Sequence, residues 1–203
     1  MELSRQRDAL QRALAEEGKD RSAAVQALQH ELPKERQRIA VFGCSWGYEI
    51  QLLRGAGLDA YGIELSDSRR GFAERELGLE VYDSLASAGT NVRDTGIVLS
   101  SHVLEHIPRL DATLREIDRY LSPHLQLHIV PAVDPEIPRQ TVRHAVGREH
   151  PLGVTRAFWQ RWADTHGFRP ELTLHAAELW CTLRRDSHLV DPAAEKRDRS
   201  LVD

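Results

Sequence analysis

Residues 38–67 read RIAVFGCSWGYEIQLLRGAGLDAYGIELSD, and this stretch decides the fold. An apolar run, residues 39–42, stops at Gly43; a turn of small residues carries Cys44, Ser45 and Gly47; Ile50, Leu52 and Leu53 then recur at helical spacing. A second strand-like run, residues 59–63, ends on Glu64, about twenty residues past the first glycine, which is the spacing of a nucleotide-binding βαβ unit. Glycine lets the backbone approach a ligand closely, and the first turn of a helix offers N–H groups with no intrahelical partner. A carboxylate at the tip of the next strand can accept hydrogen bonds from both ribose hydroxyls. The turn alone is a weak signal, because Ser45 stands at the middle position of the three-glycine dinucleotide fingerprint and Tyr48 follows Gly47; a plain turn in an α/β core competes with it.

Upstream, residues 1–34 carry two helical stripes, Leu3, Leu10 and Leu14, then Val25, Leu28 and Leu32, parted by Gly18-Lys19-Asp20 and stopped by Pro33. Such an extension can lid the ligand site, pack on a sheet edge or pair with a second subunit; a solvated flank is the plain reading. Downstream, Ser66 is placed to cap a helix running to about Leu77, with Gly78 as its stop. Residues 79–82 then form a third strand ending at Asp83, which either accepts from an adenine amino group or caps the short turn 84–88.

Residues 96–101, GIVLSS, make a near-continuous apolar strand of the kind buried on both faces of a parallel sheet. Leu110, Leu114, Ile117 and Leu121 stripe a helix over residues 109–121, and another apolar strand covers residues 125–130. Strands alternating with helices predict a parallel sheet with right-handed crossovers. Residues 131–153 turn to Pro, Arg, His and Gly without periodicity, and so long a loop is functional or disordered. A helix begins at Thr155, with Phe158, Trp159 and Trp162 facing inward as core, and ends at Gly167; residues 169–175 and 178–183 read as a hairpin.

The 203 residues suit one domain, residues 35–185, with the helical extension before it and a charged tail, residues 186–203, expected to be disordered. No run is long enough to span a bilayer and the first residues, MELSRQRDAL, are charged, so neither a membrane partner nor a secretory leader is expected and the cytoplasm is the expected location. A net charge of −4 with both signs interspersed argues against a polyanion surface, so nucleic acid is not the expected partner. Cys44 and Cys181 have neither a disulfide framework nor metal spacing and read as small buried residues.

VFGCSWG at 41–47, YGIELSD at 61–67, LSSHVLEHIPRLDATLREIDRYLSP at 99–123 and WADTHGFRP at 162–170 together resemble the class I S-adenosylmethionine-dependent methyltransferases, over about residues 36–184. The run Val-Leu-Glu-His-Ile-Pro is the most specific part and is similar to the signature after the fourth strand in the small-molecule branch that includes ubiquinone-pathway enzymes. The resemblance implies an α/β, Rossmann-like seven-stranded, mostly parallel sheet of order 3-2-1-4-5-7-6, strand 7 antiparallel, with helices on both faces. It implies S-adenosyl-L-methionine as cofactor, S-adenosyl-L-homocysteine as product, and a site across the carboxyl ends of strands 1 to 4. Position by position, it implies that Gly43, Cys44, Ser45 and Gly47 line the methionine portion, that Glu64 takes the ribose, that Leu65 and Asp83 flank the adenine, and that Ser100, Ser101 and His102 approach the methionine side. The chain departs from the family at Val41, where an acid usually reaches the ligand's ammonium group, at Ser45, usually glycine, and at Ser122-Pro123-His124, which replaces a glycine-rich turn.

A sulfonium is already a good electrophile, so most of the acceleration comes from positioning, and a base is needed only for a hydroxyl or a protonated amine. Six of the ten histidines fall between 102 and 150. His102, where the chain leaves the fourth strand, is the first candidate base or acceptor-binding residue; His144 and His150, in the irregular loop, come second; His106 reads as structural. For each, a hydrogen-bonded structural histidine is the competing reading. The same ubiquinone-pathway likeness raises a metal at His102, Glu105 and His106, but residues 105 and 106 diverge on a helix, and no metal is expected. The expectation is methyl transfer to a small-molecule hydroxyl or amine. Its rivals are a catalytically silent fold that binds S-adenosylhomocysteine or serves as an interaction module, and, third, a nicotinamide oxidoreductase, in which the signature after strand 4 has no place. The N-terminal helices are the expected surface for any homodimer.

Overall fold

The computed structural model describes residues 21–31, 38–134 and 150–189. In chain order its elements are α1 (Ser22–Glu31), β1 (Arg38–Phe42), α2 (Tyr48–Gly55), β2 (Ala60–Ile63), α3 (Asp67–Leu77), β3 (Val81–Tyr82), α4 (Leu85–Asn91), β4 (Thr95–Ser101), a 3-10 turn (Leu104–His106), α5 (Leu110–Leu121), β5 (Leu125–Pro131), α6 (Arg156–His166), β6 (Phe168–His175) and β7 (Glu178–Arg185). The strands form one sheet in the order β3-β2-β1-β4-β5-β7-β6. β1 runs parallel to β2 and β4, and β2 to β3, whereas β7 is antiparallel to both β5 and β6. Order and reversal are those expected. The chain divides into two compact units, Met1–Ser100 with Glu116–Ser122, and Ser101–Arg115 with Pro123–Asp203.

In the first unit, β1, β2 and β4 are continuous apolar runs because both faces are covered: Ile39, Ala40, Val41, Tyr61, Ile97 and Val98 are all buried. The register pairs Phe42 with Ile63 and with Ser100, so the carboxyl ends of these three strands lie side by side. At the opposite end Arg38 closes the unit, pairing bidentately with Glu80 at 2.6 and 3.1 Å, reaching Asp59, and lying over the Tyr61 ring. α1 buries Ala24, Val25 and Leu28, and Gln29 Nε2 donates to the Ala56 carbonyl just past α2, so this part of the extension is packed and is not a solvated flank. The stripe at Leu3, Leu10 and Leu14 lies outside the described residues.

Two capping expectations change. Ser66 occupies the N-cap of α3, but its hydroxyl meets Ser68 and makes no cap hydrogen bond; its own N–H donates to Glu64 Oε1 at 2.8 Å. α4 is capped by Ser84, which accepts from the Ser87 N–H and donates to Asp83, so the cap role weighed for Asp83 falls to its neighbour.

In the second unit, Thr155 caps α6 by accepting from Phe158 N–H, and Gly167, at φ 72°, ends it in the left-handed conformation that favours glycine. Trp159 and Trp162 are buried as expected, and Phe158 is half-buried. Trp159 stacks on His128, rings 8° from parallel and centroids 5.3 Å apart, while His128 Nε2 meets Gln126 Oε1 at 3.0 Å. Complete burial pushes the His128 pKa down to about 3. The hairpin is longer than its apolar runs, pairing Phe168 with Arg185 at one end and His175 with Glu178 at the other. Past β7, Asp186 accepts from Arg169 and from the His188 N–H, so the chain stays in a turn through residues 187–189. Among the described residues no helix is long and apolar enough to cross a membrane.

Candidate active site

At the carboxyl end of the first unit, the glycine turn is held against β2: the N–H groups of Gly43 and Cys44 both donate to the Ile63 carbonyl, at 2.8 and 3.2 Å. Gly43, Ser45 and Gly47 all have positive φ, at 71°, 51° and 90°. Gly47 is required, since a Cβ there would lie 2.4 Å from Leu79 Cδ1 in addition to the backbone cost. Ser45 keeps the left-handed shape without glycine. The Cys44 thiol is buried, and that burial, with the nearby Glu64 charge, raises its pKa to about 12, so it is a packing residue and not a nucleophile.

Glu64 sits at the tip of β2, only 8% exposed, with Oε2 accepting from the Ser45 N–H at 2.9 Å and Oε1 from the Ser66 N–H. One carboxylate thereby joins the glycine turn to the start of α3. Beside it Leu65 is 78% exposed, an isolated large apolar side chain at the strand edge. Trp46 packs edge-on to Phe72, and Arg70 donates to the Glu64 carbonyl and to Asp67, contacts that no sequence motif signalled. Ser100 is fully buried at the end of β4, and Ser101 is half-buried.

In the second unit a separate constellation gathers. His102 has φ 52°, and its Nδ1 meets Glu105 Oε1 at 3.1 Å while its Nε2 meets Glu178 Oε1 at 2.8 Å. Burial opposes its charged form, but the hydrogen bonds to Glu105 and Glu178 outweigh that and raise its pKa to about 9. Glu178 in turn accepts from Trp180 Nε1. This partner lies 76 residues from His102 and comes from the hairpin, which no local pattern could link to it. Glu105, His106 and His150 also come together, each offering a ligand atom within 4.8 Å of the others, a different trio from the His102, Glu105 and His106 considered on sequence. An open groove of about 430 Å³ is lined by residues 108–112, residues 152–154 and Phe158. His144 lies outside the described residues.

The sequence profile of a methyltransferase domain matches residues 7–173. The chain belongs to that methyltransferase family. It is an S-adenosylmethionine-dependent enzyme, as the family is. No curated protein matches the methyltransferase significantly. Among solved structures, its fold is similar to that of a SAM-dependent methyltransferase from Archaeoglobus fulgidus, at 14% identity and TM-score 0.61, over 82% of this chain and 95% of that one. It is similar also to magnesium protoporphyrin IX methyltransferase from Synechocystis PCC 6803 with bound SAH, at 16% identity and TM-score 0.61, over 81% of each chain. A third likeness is to the small RNA methyltransferase HEN1, at 19% identity and TM-score 0.64, over 84% of this chain but only 26% of that one.

The donor chemistry of the methyltransferase's first unit fits the cofactor. Each Glu64 oxygen has one amide partner and two lone-pair directions, so the carboxylate retains acceptor capacity for a pair of ribose hydroxyls. Leu65 offers an apolar surface of the kind a purine ring covers. When bound, S-adenosylmethionine supplies a methyl group on a sulfonium, and the protein's contribution is orientation and exclusion of water.

Proposed function

We propose that the methyltransferase acts on a small-molecule acceptor carrying a hydroxyl or amine. The observation that carries this reading is the groove of about 430 Å³: its volume falls in the range of small-molecule sites, its walls from Leu110, Val154 and Phe158 are apolar, and Arg109 and Asp111 supply polar orientation. The Leu152 N–H donates to the Glu105 carbonyl at 3.3 Å, which ties one wall of the groove to the Glu105 and His106 turn.

In this reading Gly43, Cys44, Ser45 and Gly47 hold the methionine portion, Glu64 the ribose, and Leu65 and Asp83 the adenine, while Ser100, Ser101 and His102 approach the methionine side. His102 has both ring nitrogens engaged by carboxylates, which suits it to positioning Glu105 and Glu178 better than to accepting a proton. His150 is then the better candidate for proton transfer. The silent-fold reading keeps one supporting observation, the apolar Val41 buried where the family usually carries an acid.

Transfer of an isotopically labelled methyl group to a panel of phenols, sugars and amines, with RNA and protein acceptors alongside, tests the proposal. Label in one small-molecule class, reduced by Leu152→Trp through a raised KM, is the expected result. Label in RNA or protein alone would overturn the small-molecule reading, and no transfer by a chain that binds the cofactor would favour the silent fold.

A further inference from the structure

We infer that the groove takes an amphipathic acceptor, an apolar body that carries a carboxylate, and that Arg109 is the residue that selects it. The inference rests on the reading of that groove as the acceptor site and names its substrate class.

The groove is lined by residues 108–112, residues 152–154 and Phe158, all within the second unit. Its two charged residues are Arg109 and Asp111. They do not cancel each other, because the Asp111 carboxylate is taken by Arg115, one helical turn along α5. Side chains 49% and 62% exposed make that ion pair worth little to stability, yet it neutralises the acid. Arg109 has no such counterpart. Its side chain is exposed, and among the described residues its guanidinium meets no carboxylate and no other acceptor. The groove therefore presents one uncompensated cation.

The other lining residues are uncharged. Leu110 and Val154 are buried, and Phe158 is half-buried with its ring edge-on to Trp159. A polyol would leave these apolar walls unused, and a cationic acceptor would meet Arg109 as a like charge. An apolar body laid on Leu110, Val154 and Phe158, with a carboxylate turned to Arg109, uses both features of the site. The planar guanidinium offers paired N–H donors that match the two oxygens of a carboxylate, and it stays charged at every working pH. Fixing the anionic end also fixes the direction of the body behind it, so one hydroxyl or amine is aligned for transfer while others are not. Arg109 is thus a specificity-determining residue that binds the acceptor away from its reacting atom.

The test uses matched probes: para-hydroxyphenylbutyrate and ω-hydroxydodecanoate, each beside its primary amide, which keeps the body and the hydroxyl and removes the charge. Transfer of labelled methyl gives kcat and KM, and calorimetry on the full chain saturated with S-adenosylhomocysteine gives affinity. In the parent at least one acid should bind at least about tenfold more tightly than its amide, with a correspondingly lower KM and similar kcat, as expected for a hydrogen-bonded charge pair. Arg109→Gln should bring the acid down to its amide and leave the amide unchanged, while Arg109→Lys keeps part of the preference. Arg119→Gln, at an exposed arginine of α5 outside the groove, should change neither. Thermal melts establish that each variant is folded. Equal affinity for acid and amide in the parent, an acid preference that survives Arg109→Gln, or binding of none of the four probes would overturn the inference. The two readings fail separately: acid-selective binding with methyl transfer only to RNA or protein refutes the small-molecule acceptor reading, whereas equal methylation of acid and amide refutes only the role of Arg109.

Discussion

Glu64 joins local folding to the proposed ligand chemistry, because the two amides that fix its carboxylate, from Ser45 and Ser66, belong to the two segments that the proposed function sets against the nucleoside. Glu64→Gln replaces one acceptor oxygen by an amide NH2 group, a donor facing a backbone N–H. A hydrogen bond to a charged group contributes about 1.5–3 kcal/mol, so S-adenosylhomocysteine affinity should fall at least about tenfold by calorimetry, with a lowered melting temperature. Undiminished affinity would remove Glu64 from the ribose. The turn offers a contrast pair. Gly47→Ala meets both the left-handed backbone and Leu79, and should cost about 2 kcal/mol in urea unfolding. Ser45→Gly relieves a conformation that costs a non-glycine residue about 1–2 kcal/mol, against roughly 0.5–1 kcal/mol of glycine's own entropy, and should therefore not destabilise.

At the scale of elements, β5 and α6 are joined by the stacked His128 and Trp159. Trp159 is fully buried, and Trp159→Ala should cost about 3–5 kcal/mol. His128 gives the fold an acid sensitivity whose sign follows from its depressed pKa. The unfolded chain takes up a proton near 6.5 and the folded chain only near 3, so stability is fully present above 6.5 and declines as pH falls through that window. The groups around this imidazole include Gln126 on its own strand, Trp159 on α6 and the buried Cys181 opposite it on β7. Urea unfolding at pH 7.5 and 5.5 should show a larger loss for the parent than for His128→Phe, with a slope difference of at most about 1.4 kcal/mol per pH unit. Equal losses would show that His128 does not titrate with unfolding.

For the whole molecule, the alternation of strands and helices and the Glu64 position were legible because they rest on local periodicity and a fixed spacing: residues 39–42, the glycine turn and residues 59–63 lie within one βαβ unit. The strand order came only from the family resemblance, since periodicity does not say which strands lie side by side. Glu178 and His150 were not legible as partners of the residues after β4, because contacts 76 and 44 residues away are made by tertiary folding and leave no periodic trace. The Ser66 cap failed for a related reason. The serine stands where a cap should, but a carboxylate two residues earlier claims its N–H, and its own hydroxyl turns to Ser68. Val41 and Ser45, read from sequence as departures from the family, are accommodated differently: Val41 is buried in β1, and Ser45 preserves the turn's left-handed backbone.

Calorimetric titration of the full chain with S-adenosylhomocysteine, with NAD as control, tests the assignment most directly. One equivalent of S-adenosylhomocysteine bound in the micromolar range, with no heat from NAD, is the predicted result. A cooperatively folded chain that binds NAD instead, or gives no heat with S-adenosylhomocysteine or S-adenosylmethionine, would contradict it.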